Sequence, residues 1–424
     1  MTNRVVVTGL GVLSPFGVGV DTFWSSVKAG ENAVDVWHPS GVENFPVKHA
    51  ATIKSDTQSL VDNELAEFNL PKHIERRAIY ALIAAKEAIA DAQLSEQLAQ
   101  AAIAVCSGVP ELDDTSLVAL AKQPKENIMN HALEERERAI ERFSGIRCSN
   151  DVLATTLAQQ LNTSGFICNV SGACAGATQA IGLAYRAIKR GEAAVVLCGG
   201  ADSVLSIRTM SALHLLGATA ETQRFSNQLC RPFDQDRSGL VAGEGGAMLV
   251  LESEQHARER GARIYAEVTG FGSSLDAYKV TAPHPQGEGA ISAMNGALQS
   301  AGCNVSDVQY INAHGTSTPL NDVIETKAIK AVFGSHANSI GVSSTKSMIG
   351  HWIAAAGAPE AIATILAIRD QFMPATINLK QPQAELDLDY VMGHGRSARI
   401  DCALSNSFGF GGINASLAIA RYYG

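Results

Sequence analysis

Apolar runs alternate with amphipathic segments along the chain, and one such alternation is unusually clear. Residues 166–170 form a run that is apolar except for Asn169, which is typical of a buried strand in a parallel sheet. Small residues follow, and an apolar face with helical spacing begins at Ile181 and includes Tyr185 and Ile188. The pattern predicts a strand, a tight turn that contains Cys174, and a helix.

Two further patterns each occur twice, in the same order along the chain. The segment VTGLG at 7–11 returns as VTGFG at 268–272, and GATQAI at 176–181 returns as GAPEAI at 357–362. Residues 103–108 and 311–315 make a looser third pair, since both are strand-like runs that end in a small turn. Repeated landmarks predict two halves of one duplicated α/β unit, at 1–260 and 261–424, each a sheet with helices.

The first half is longer than the second, and its extra length falls at about residues 111–147. This segment is polar, and Glu134 and Arg138 can pair at i, i+4 along an exposed helix. The segment could be an insertion that caps the site or contacts another subunit. An ordinary solvent-exposed surface segment explains its composition equally well.

The glycines at 9 and 11 follow a strand-like run at 5–7 and predict a turn out of it. Such a turn could suggest dinucleotide binding. Because the full GxGxxG pattern and a suitably spaced ribose-binding acid are missing, we give that interpretation little weight.

Cys174 has the position expected of a nucleophile. At the N-terminus of a helix, unpaired N–H groups and the helix dipole favour an anion, so we expect a lowered thiol pKa. Small neighbours leave room for a substrate and for an oxyanion to reach backbone N–H groups. From its position alone, Cys174 could also be a structural cysteine in a tight turn.

The second half places further reactive side chains after apolar strand-like runs. These are His314, Lys346 and His351, and a glycine-rich loop ends the segment 401–412. In open α/β sheets ligands gather beyond the carboxyl ends of the strands, so these groups and Cys174 can face one cleft.

Composition and charge exclude several classes of function. The chain has 424 residues and a net charge of −9, which disfavours nonspecific binding to nucleic acid or to an anionic membrane. Its N-terminus leads directly into a strand instead of a signal peptide, and its apolar runs are too short to span a membrane. Eight cysteines without a CxxC pair predict reduced thiols in a cytoplasmic protein with no metal site.

Taken together, the motifs resemble those of the β-ketoacyl-acyl-carrier-protein synthases, the condensing enzymes of fatty acid and polyketide assembly. The resemblance runs from Val5 to Gly412. It rests on the motifs ACA at 173–175, RPFD at 231–234, GEG at 243–245, NAHGTST at 312–318, KSMIGH at 346–351 and NSFGFGG at 406–412. It implies a thiolase-like α/β fold of duplicated α/β/α/β/α layered halves.

The resemblance also implies a ping-pong condensation. Cys174 would take an acyl group from a phosphopantetheine thioester, and a malonyl-carrier thioester would then lose carbon dioxide and attack that acyl group. His314 and His351 would donate N–H bonds to the malonyl thioester carbonyl, and Lys346 paired with Glu360 would hold the histidines.

The resemblance also assigns residues to substrate binding and access. The backbone N–H groups of Cys174 and Phe410 would form the oxyanion hole, and Phe410 would also gate the cleft. Thr316 and Thr318 would bind the pantetheine arm. The flanking glycines that would permit the gate to move are Gly409, Gly411 and Gly412.

The Cys-His-His set favours an elongating enzyme, because chain-starting and plant-type synthases would show Asn at the position of His351. A thiolase would need a second cysteine in the final glycine loop, and Cys402 lies before that loop. A non-catalytic chain-length partner of a ketosynthase typically lacks the nucleophile, so we expect an enzyme.

The implied partner is an acidic acyl carrier protein, which needs a basic docking patch. Lys72, Arg76 and Arg77 are the candidates, and ordinary solvated surface charge is the alternative for each. The family also implies a homodimer or a heterodimer with a related chain-length partner, and no bound cofactor.

Three positions depart from the family pattern. Gly172 stands where Thr or Ser is common, Lys279 stands where His is common, and polar residues at 109–114 replace a small-residue run near the acyl pocket. The departures favour a specialised type II polyketide or polyene enzyme over a housekeeping fatty acid enzyme.

Overall fold

The computed structural model describes residues 3–39, 44–54, 74–94, 96–110, 149–221 and 223–424, with positions 42, 59, 62, 63 and 68. Lys72 and the predicted insertion at 111–147 lie outside the described residues. No described helix combines the length and the apolar character needed to cross a membrane.

The described strands are β1 (Val5–Ser14), β2 (Gly17–Val18), β3 (Asp35–Val36), β4 (His49–Ala50), β5 (Ala102–Ser107), β6 (Ile167–Val170), β7 (Val195–Ser203), β8 (Glu244–Ser253), β9 (Ala266–Leu275), β10 (Tyr310–Asn312), β11 (Gly341–Ser343), β12 (Phe372–Met373), β13 (Arg396–Ser397), β14 (Cys402–Gly409) and β15 (Ile413–Ala420). The described α-helices are α1 (Val20–Ala29), α2 (Arg76–Asp91), α3 (Val152–Leu161), α4 (Gly176–Lys189), α5 (Ile207–Leu215), α6 (Glu254–Glu259), α7 (Glu288–Ala301), α8 (Pro319–Phe333), α9 (Lys346–Ile349) and α10 (Gly357–Asp370).

The strand order shows the duplication directly. The main sheet runs β11-β10-β14-β15-β9-β1-β8-β7-β5-β6, with β2 paired to β1. Each predicted half contributes five strands to this order. The first and last of the five lie side by side toward its centre, and the two shortest of the five lie toward its ends. The halves meet where β1 pairs with β9 through Val6–Glu267 and Val7–Ala266.

The repeated glycine pairs lie inside strands, so the turn predicted at 9–11 is wrong. Their lack of a side chain lets a helix lie directly on the strand. A Cβ at Gly11 would come within 2.0 Å of the carbonyl oxygen of Ala84 in α2, and one at Gly272 within 2.0 Å of that of Ala293 in α7. The same close packing in both halves explains the repeat without any nucleotide.

The second repeat marks two central helices. α4 and α10 begin at its two copies, and their buried faces belong to one hydrophobic cluster with the sheet. A Cβ at Gly357 would come within 2.0 Å of Thr178 Oγ1, so the two helices touch at their first turns. The starts of both helices therefore meet in the middle of the molecule, beside Cys174.

The strand predicted at 166–170 forms as β6, but it is not a buried central strand. It lies at the end of the main sheet and pairs with β5. Phe166 and Ile167 are 41% and 45% exposed. The apolar residues of a strand are buried only when neighbouring elements cover both of its faces. The sequence of the strand does not show whether they do.

Candidate active site

Cys174 lies in the sharp connection between β6 and α4. A 3-10 turn at Ala173–Ala175 joins the two elements. Ala173 has a φ of 44°, which is the left-handed region that non-glycine residues seldom occupy. The strand, turn and helix predicted around Cys174 are confirmed.

The departure at Gly172 has a steric reason in this chain. A Cβ at this position would come within 2.3 Å of Gln179 Oε1 and 2.9 Å of the Gly176 Cα. Gln179 also donates to Ser273 Oγ at 3.2 Å. The side chain of Gln179 thus fills space that a hydroxyl residue at position 172 would occupy.

The expectation of a lowered thiol pKa is wrong for this arrangement. Cys174 is 3% exposed, and burial raises the pKa of its thiol to about 11, although N–H donation from Phe410 and the Lys346 charge act in the opposite direction. Loss of hydration therefore outweighs the helix N-terminus. Cys174 is a thiol at neutral pH and needs a base.

Two histidines lie within reach of that thiol. Cys174 Sγ and one ring nitrogen from each of His314 and His351 lie within 4.8 Å of one another. The two rings meet edge to face with centroids 5.3 Å apart. Burial, with the Lys346 charge second, lowers the pKa of both histidines well below the usual value. Both rings are neutral, so the ring that keeps an unengaged nitrogen can accept the thiol proton.

Lys346 fixes the proton on one of these rings. It forms a buried ion pair with Glu360, as the resemblance implies, and its Nζ lies 3.3 Å from His314 Nδ1. An ammonium group only donates, so Nδ1 accepts and the ring proton of His314 is on Nε2. Burial raises the pKa of Glu360 to about 7 against the opposing effect of Lys346.

His351 is held by its backbone while its ring is left without partners. Its N–H donates to the Val241 carbonyl at 2.8 Å, and its carbonyl accepts from Gly243 N at 2.9 Å. Neither ring nitrogen has a hydrogen-bond partner among the described residues, although both are buried. A substrate carbonyl that accepted from this ring would satisfy one of them.

Glu325 also supports the site, and the sequence analysis did not find it. Its carboxylate accepts the backbone N–H groups of His314 and Gly315, each at 2.8 Å. It lies on the buried face of α8, which starts with Thr318 as its cap and Pro319 in its first turn. The Thr-Pro start predicts this helix, and two acids on its apolar face, Asp322 and Glu325, were the available signal.

The glycine-rich loop comes up against the nucleophile. A Cβ at Gly409 would lie 3.0 Å from the Cys174 nitrogen, so glycine allows this approach. The N–H of Phe410 is directed at the Cys174 sulfur. Backbone N–H groups of Cys174 and Phe410 are thus placed beside one sulfur, where a thioester oxygen would also lie. β14 ends at Gly409, and β15 follows the loop.

One cavity of about 250 Å³ joins these groups to the surface. Cys174, His314 and His351 lie in its wall, and Phe410, Gly409 and Gly412 line it too. Thr316 and Thr318 also line it, with their hydroxyl oxygens 2.9 Å apart. The cavity therefore brings together the predicted nucleophile, histidines, gate and pantetheine-binding threonines.

Of the predicted docking residues, Arg77 does not fit its expected place. It is 1% exposed, forms an ion pair with Glu75, and donates to Ser107 Oγ and to the carbonyls of Gly108 and Ser149. Because the guanidinium group is buried and paired within the molecule, Arg77 cannot contact a carrier protein, and its prediction as a docking residue is wrong. Arg76 is exposed at the start of α2.

Two family models match most of the chain. The beta-ketoacyl synthase N-terminal domain matches residues 2–257, and the beta-ketoacyl synthase C-terminal domain matches residues 265–380. The chain belongs to the β-ketoacyl synthase family. It is therefore a condensing enzyme of the acyltransferase type with the thiolase-like fold.

Curated relatives match over the full length. The 3-oxoacyl-[acyl-carrier-protein] synthase 2 of Rhizobium meliloti is 38% identical and covers 100% of both chains. The enzyme of the same name from Synechocystis is 37% identical over 99% of this chain and 98% of its own.

Solved structures of ketosynthases have the same fold. The ishigamide ketosynthase/chain length factor is 31% identical, with a TM-score of 0.86 and full coverage of both chains. A type II polyketide synthase acyl-carrier protein in complex with its ketosynthase bound to the hexaketide (AntDE:AntF) is 30% identical, with a TM-score of 0.84 and full coverage of both.

Proposed function

We propose that this β-ketoacyl synthase elongates acyl chains by decarboxylative condensation of a Cys174-bound acyl group with a malonyl-carrier thioester. The observation that supports this most is the convergence of Cys174, His314 and His351 within 4.8 Å, in a cavity that Phe410 also lines. Substrates would arrive on phosphopantetheine, and the enzyme would need no bound cofactor.

In the first step, the neutral His351 takes the proton of the Cys174 thiol, because neither of its ring nitrogens is engaged by another described residue, and the sulfur attacks the incoming thioester. The carbonyl oxygen gains charge beside the backbone N–H groups of Cys174 and Phe410. When the intermediate collapses, the pantetheine thiolate leaves with the proton and the acyl group stays on Cys174.

In the second step, the malonyl thioester carbonyl accepts N–H bonds from His314 and His351. The His314 proton lies on Nε2 because Lys346 donates to Nδ1, so His314 enters this step as a neutral donor. Loss of carbon dioxide leaves an enolate whose oxygen the two donors stabilise. Its carbon attacks the acyl-cysteine carbonyl, forms the new carbon–carbon bond and releases the Cys174 thiolate.

We propose a specialised type II polyketide or polyene pathway. Support comes from the departures at Gly172 and Lys279, the polar residues at 109–114, and the likeness to the ishigamide and AntDE ketosynthases. Lys279 is exposed with its Nζ 5.3 Å from the Tyr278 ring centre, so it does not reproduce an imidazole in the cavity. The identity of 37–38% to 3-oxoacyl-[acyl-carrier-protein] synthase 2 favours the second candidate, a housekeeping fatty acid enzyme.

The proposed partners are an acyl carrier protein and a second synthase chain, in the cytoplasm. Exposed Phe166 and Ile167 at the free end of the sheet offer an apolar edge for a second subunit, identical or related. Arg76, and Lys72 from outside the described residues, are the proposed contacts for an acidic carrier.

The test is acylation by carrier-bound and small-molecule thioesters of increasing length, measured by intact mass. We expect a covalent acyl adduct on the native chain and none on Cys174→Ala. A preference for unsaturated polyketide acyl groups would support the specialised pathway, whereas a preference for saturated chains would support the fatty acid pathway. Absence of any adduct, with and without candidate partner chains, would contradict the enzyme assignment and favour a non-catalytic partner subunit.

A further inference from the structure

Two cysteines outside the active site lie in contact. Cys303 follows Gly302, the residue that caps the C-terminal end of α7, and Cys402 is the first residue of β14. Their sulfur atoms are 3.9 Å apart, although 99 positions separate them in the chain. Sulfur atoms at this distance need to close by about 2 Å to reach the bond length of a disulfide.

The two thiols differ in access. Cys303 is half-buried between the exposed residues Gly302 and Asn304, so an oxidant in solution can reach it. Cys402 is 5% exposed and lies behind it. This is the arrangement of an attacking thiol at the surface and a resolving thiol beneath it.

The hydrogen bond between the two thiols supports that division, and either sulfur can be its donor. With Cys402 as the donor, the bond lowers the pKa of Cys303 to about 7 and raises the pKa of Cys402. Partial burial, Asp307 and Glu267 act in the other direction on Cys303. The lowered pKa favours the thiolate of Cys303, which is the form that reacts with oxidants.

We propose that Cys303 and Cys402 form a reversible disulfide when the protein meets a peroxide. The Cys303 thiolate attacks one peroxide oxygen, breaks the O–O bond and becomes a sulfenic acid, with hydroxide as the leaving group. The Cys402 thiol then attacks that sulfur, the S–O bond breaks, and its proton leaves with the hydroxyl group as water. Two thiols and one hydrogen peroxide thus give one disulfide and two waters.

The disulfide would stabilise the fold and would lie away from the catalytic cavity. Cys402 lies at the amino end of β14, and the cavity lies at the carboxyl end, beyond Gly409. Closing a loop of 99 positions restricts the unfolded chain, so the oxidised protein should melt at a higher temperature. Acylation of Cys174 should proceed at the same rate in both forms once Cys174 itself is reduced.

The test is peptide mapping by mass spectrometry after hydrogen peroxide treatment, alkylation of the remaining thiols and proteolysis. The native chain and Cys174→Ala should each contain a crosslink of the two peptides, with a loss of two hydrogens (about 2 Da) that dithiothreitol reverses. Cys303→Ser should show no crosslink. Cys168→Ser, which removes another half-buried thiol, should still show it.

Two outcomes would overturn the proposal. One is full alkylation of both Cys303 and Cys402 after oxidation of the native chain. The other is a stable oxygen adduct on Cys303 with no crosslink to Cys402. Because both are read on the native protein, poor folding of a variant would not obscure them.

Discussion

At the scale of single residues, the site is governed by burial more than by local chain geometry. Cys174 lies before a helix N-terminus, yet its thiol has a raised pKa because the cavity wall removes it from water. His314 and His351 are neutral for the same reason. In the free enzyme the thiol and the two imidazoles are therefore uncharged, and we expect the thiolate to form only when a thioester is bound.

The raised thiol pKa predicts how Cys174 is alkylated in the free enzyme. Its reaction with iodoacetamide should accelerate about tenfold per pH unit between pH 7 and 9, because the thiolate fraction grows in that proportion below a pKa of about 11. Peptide mapping separates Cys174 from Cys303, whose rate should level off above its pKa of about 7. A Cys174 rate that is already constant at pH 7 would show that the thiolate forms in the resting site.

Glu325 predicts a pH dependence of stability. Burial raises its pKa to about 7 from 4.5, so the folded chain holds a proton that the unfolded chain releases between these values. Its contribution is complete below pH 4.5 and is lost as pH rises through 7. From pH 5 to pH 8, Glu325→Gln should therefore gain about 2 kcal/mol of unfolding free energy relative to the native chain.

Chemical denaturation at both pH values measures this difference. Glu288→Gln, which removes an exposed charge, is the matched control and should not change the slope. An equal pH dependence in the native chain and Glu325→Gln would mean that Glu325 is not protonated on folding.

Some residues of this site could be predicted from the sequence and others could not, and the difference has a physical reason. Cys174 and His314 each follow a strand, and topology brings such positions to one edge of a sheet, whereas His351 follows the short helix α9. The role of Glu325 depends on where α8 lies against the strand before it, and the buried state of Arg77 depends on Ser107 and Ser149. Contacts between distant segments leave no local pattern, so the buried state of Arg77 could not be predicted. For Glu325, the two acids on the apolar face of α8 signalled a buried role, but not which N–H groups it accepts.

At the scale of elements, the repeated glycines determine how closely helix and strand pack. Gly11 and Gly272 hold equivalent positions in β1 and β9, each beneath a helix backbone. The repeat was visible in the sequence, but its placement within the strand was not, since glycines after an apolar run are equally typical of a turn.

Gly272→Ala should lower the free energy of unfolding by about 3 kcal/mol, because its Cβ would overlap the Ala293 carbonyl and force α7 away from β9. Ser273→Ala, at the adjacent exposed position, removes atoms without adding any and should cost much less. Urea denaturation compares them. Equal stability of Gly272→Ala and the native chain would show that α7 shifts without penalty.

At the scale of the whole molecule, the duplicated halves form one continuous sheet, and the cavity draws on both of them. Cys174 comes from the first half, and His314, His351 and Phe410 come from the second. In the proposed reaction, a carrier protein would dock near this cavity to deliver its arm, although the chain as a whole is acidic.

Arg76→Glu should raise KM for carrier-bound substrate about tenfold and leave KM for a small thioester unchanged, because it places a negative charge where an acidic carrier would dock. Arg399→Glu makes the same charge change near the amino end of β14 and should alter neither value. Steady-state kinetics with both substrates separates docking from chemistry. Parallel KM increases for both substrates would point to a distorted cavity instead.

The central claim is that the acyl group on Cys174 is extended by a malonyl-carrier thioester in this one cavity. The most direct measurement is a single turnover: the acyl-enzyme is isolated, mixed with malonyl-carrier protein, and followed by mass spectrometry of both proteins with release of carbon dioxide. We expect the acyl mass to leave the enzyme and to appear on the carrier as a 3-oxoacyl chain two carbons longer. An acyl-enzyme that persists, or that loses its acyl group to water without elongating the carrier-bound chain, would contradict the account.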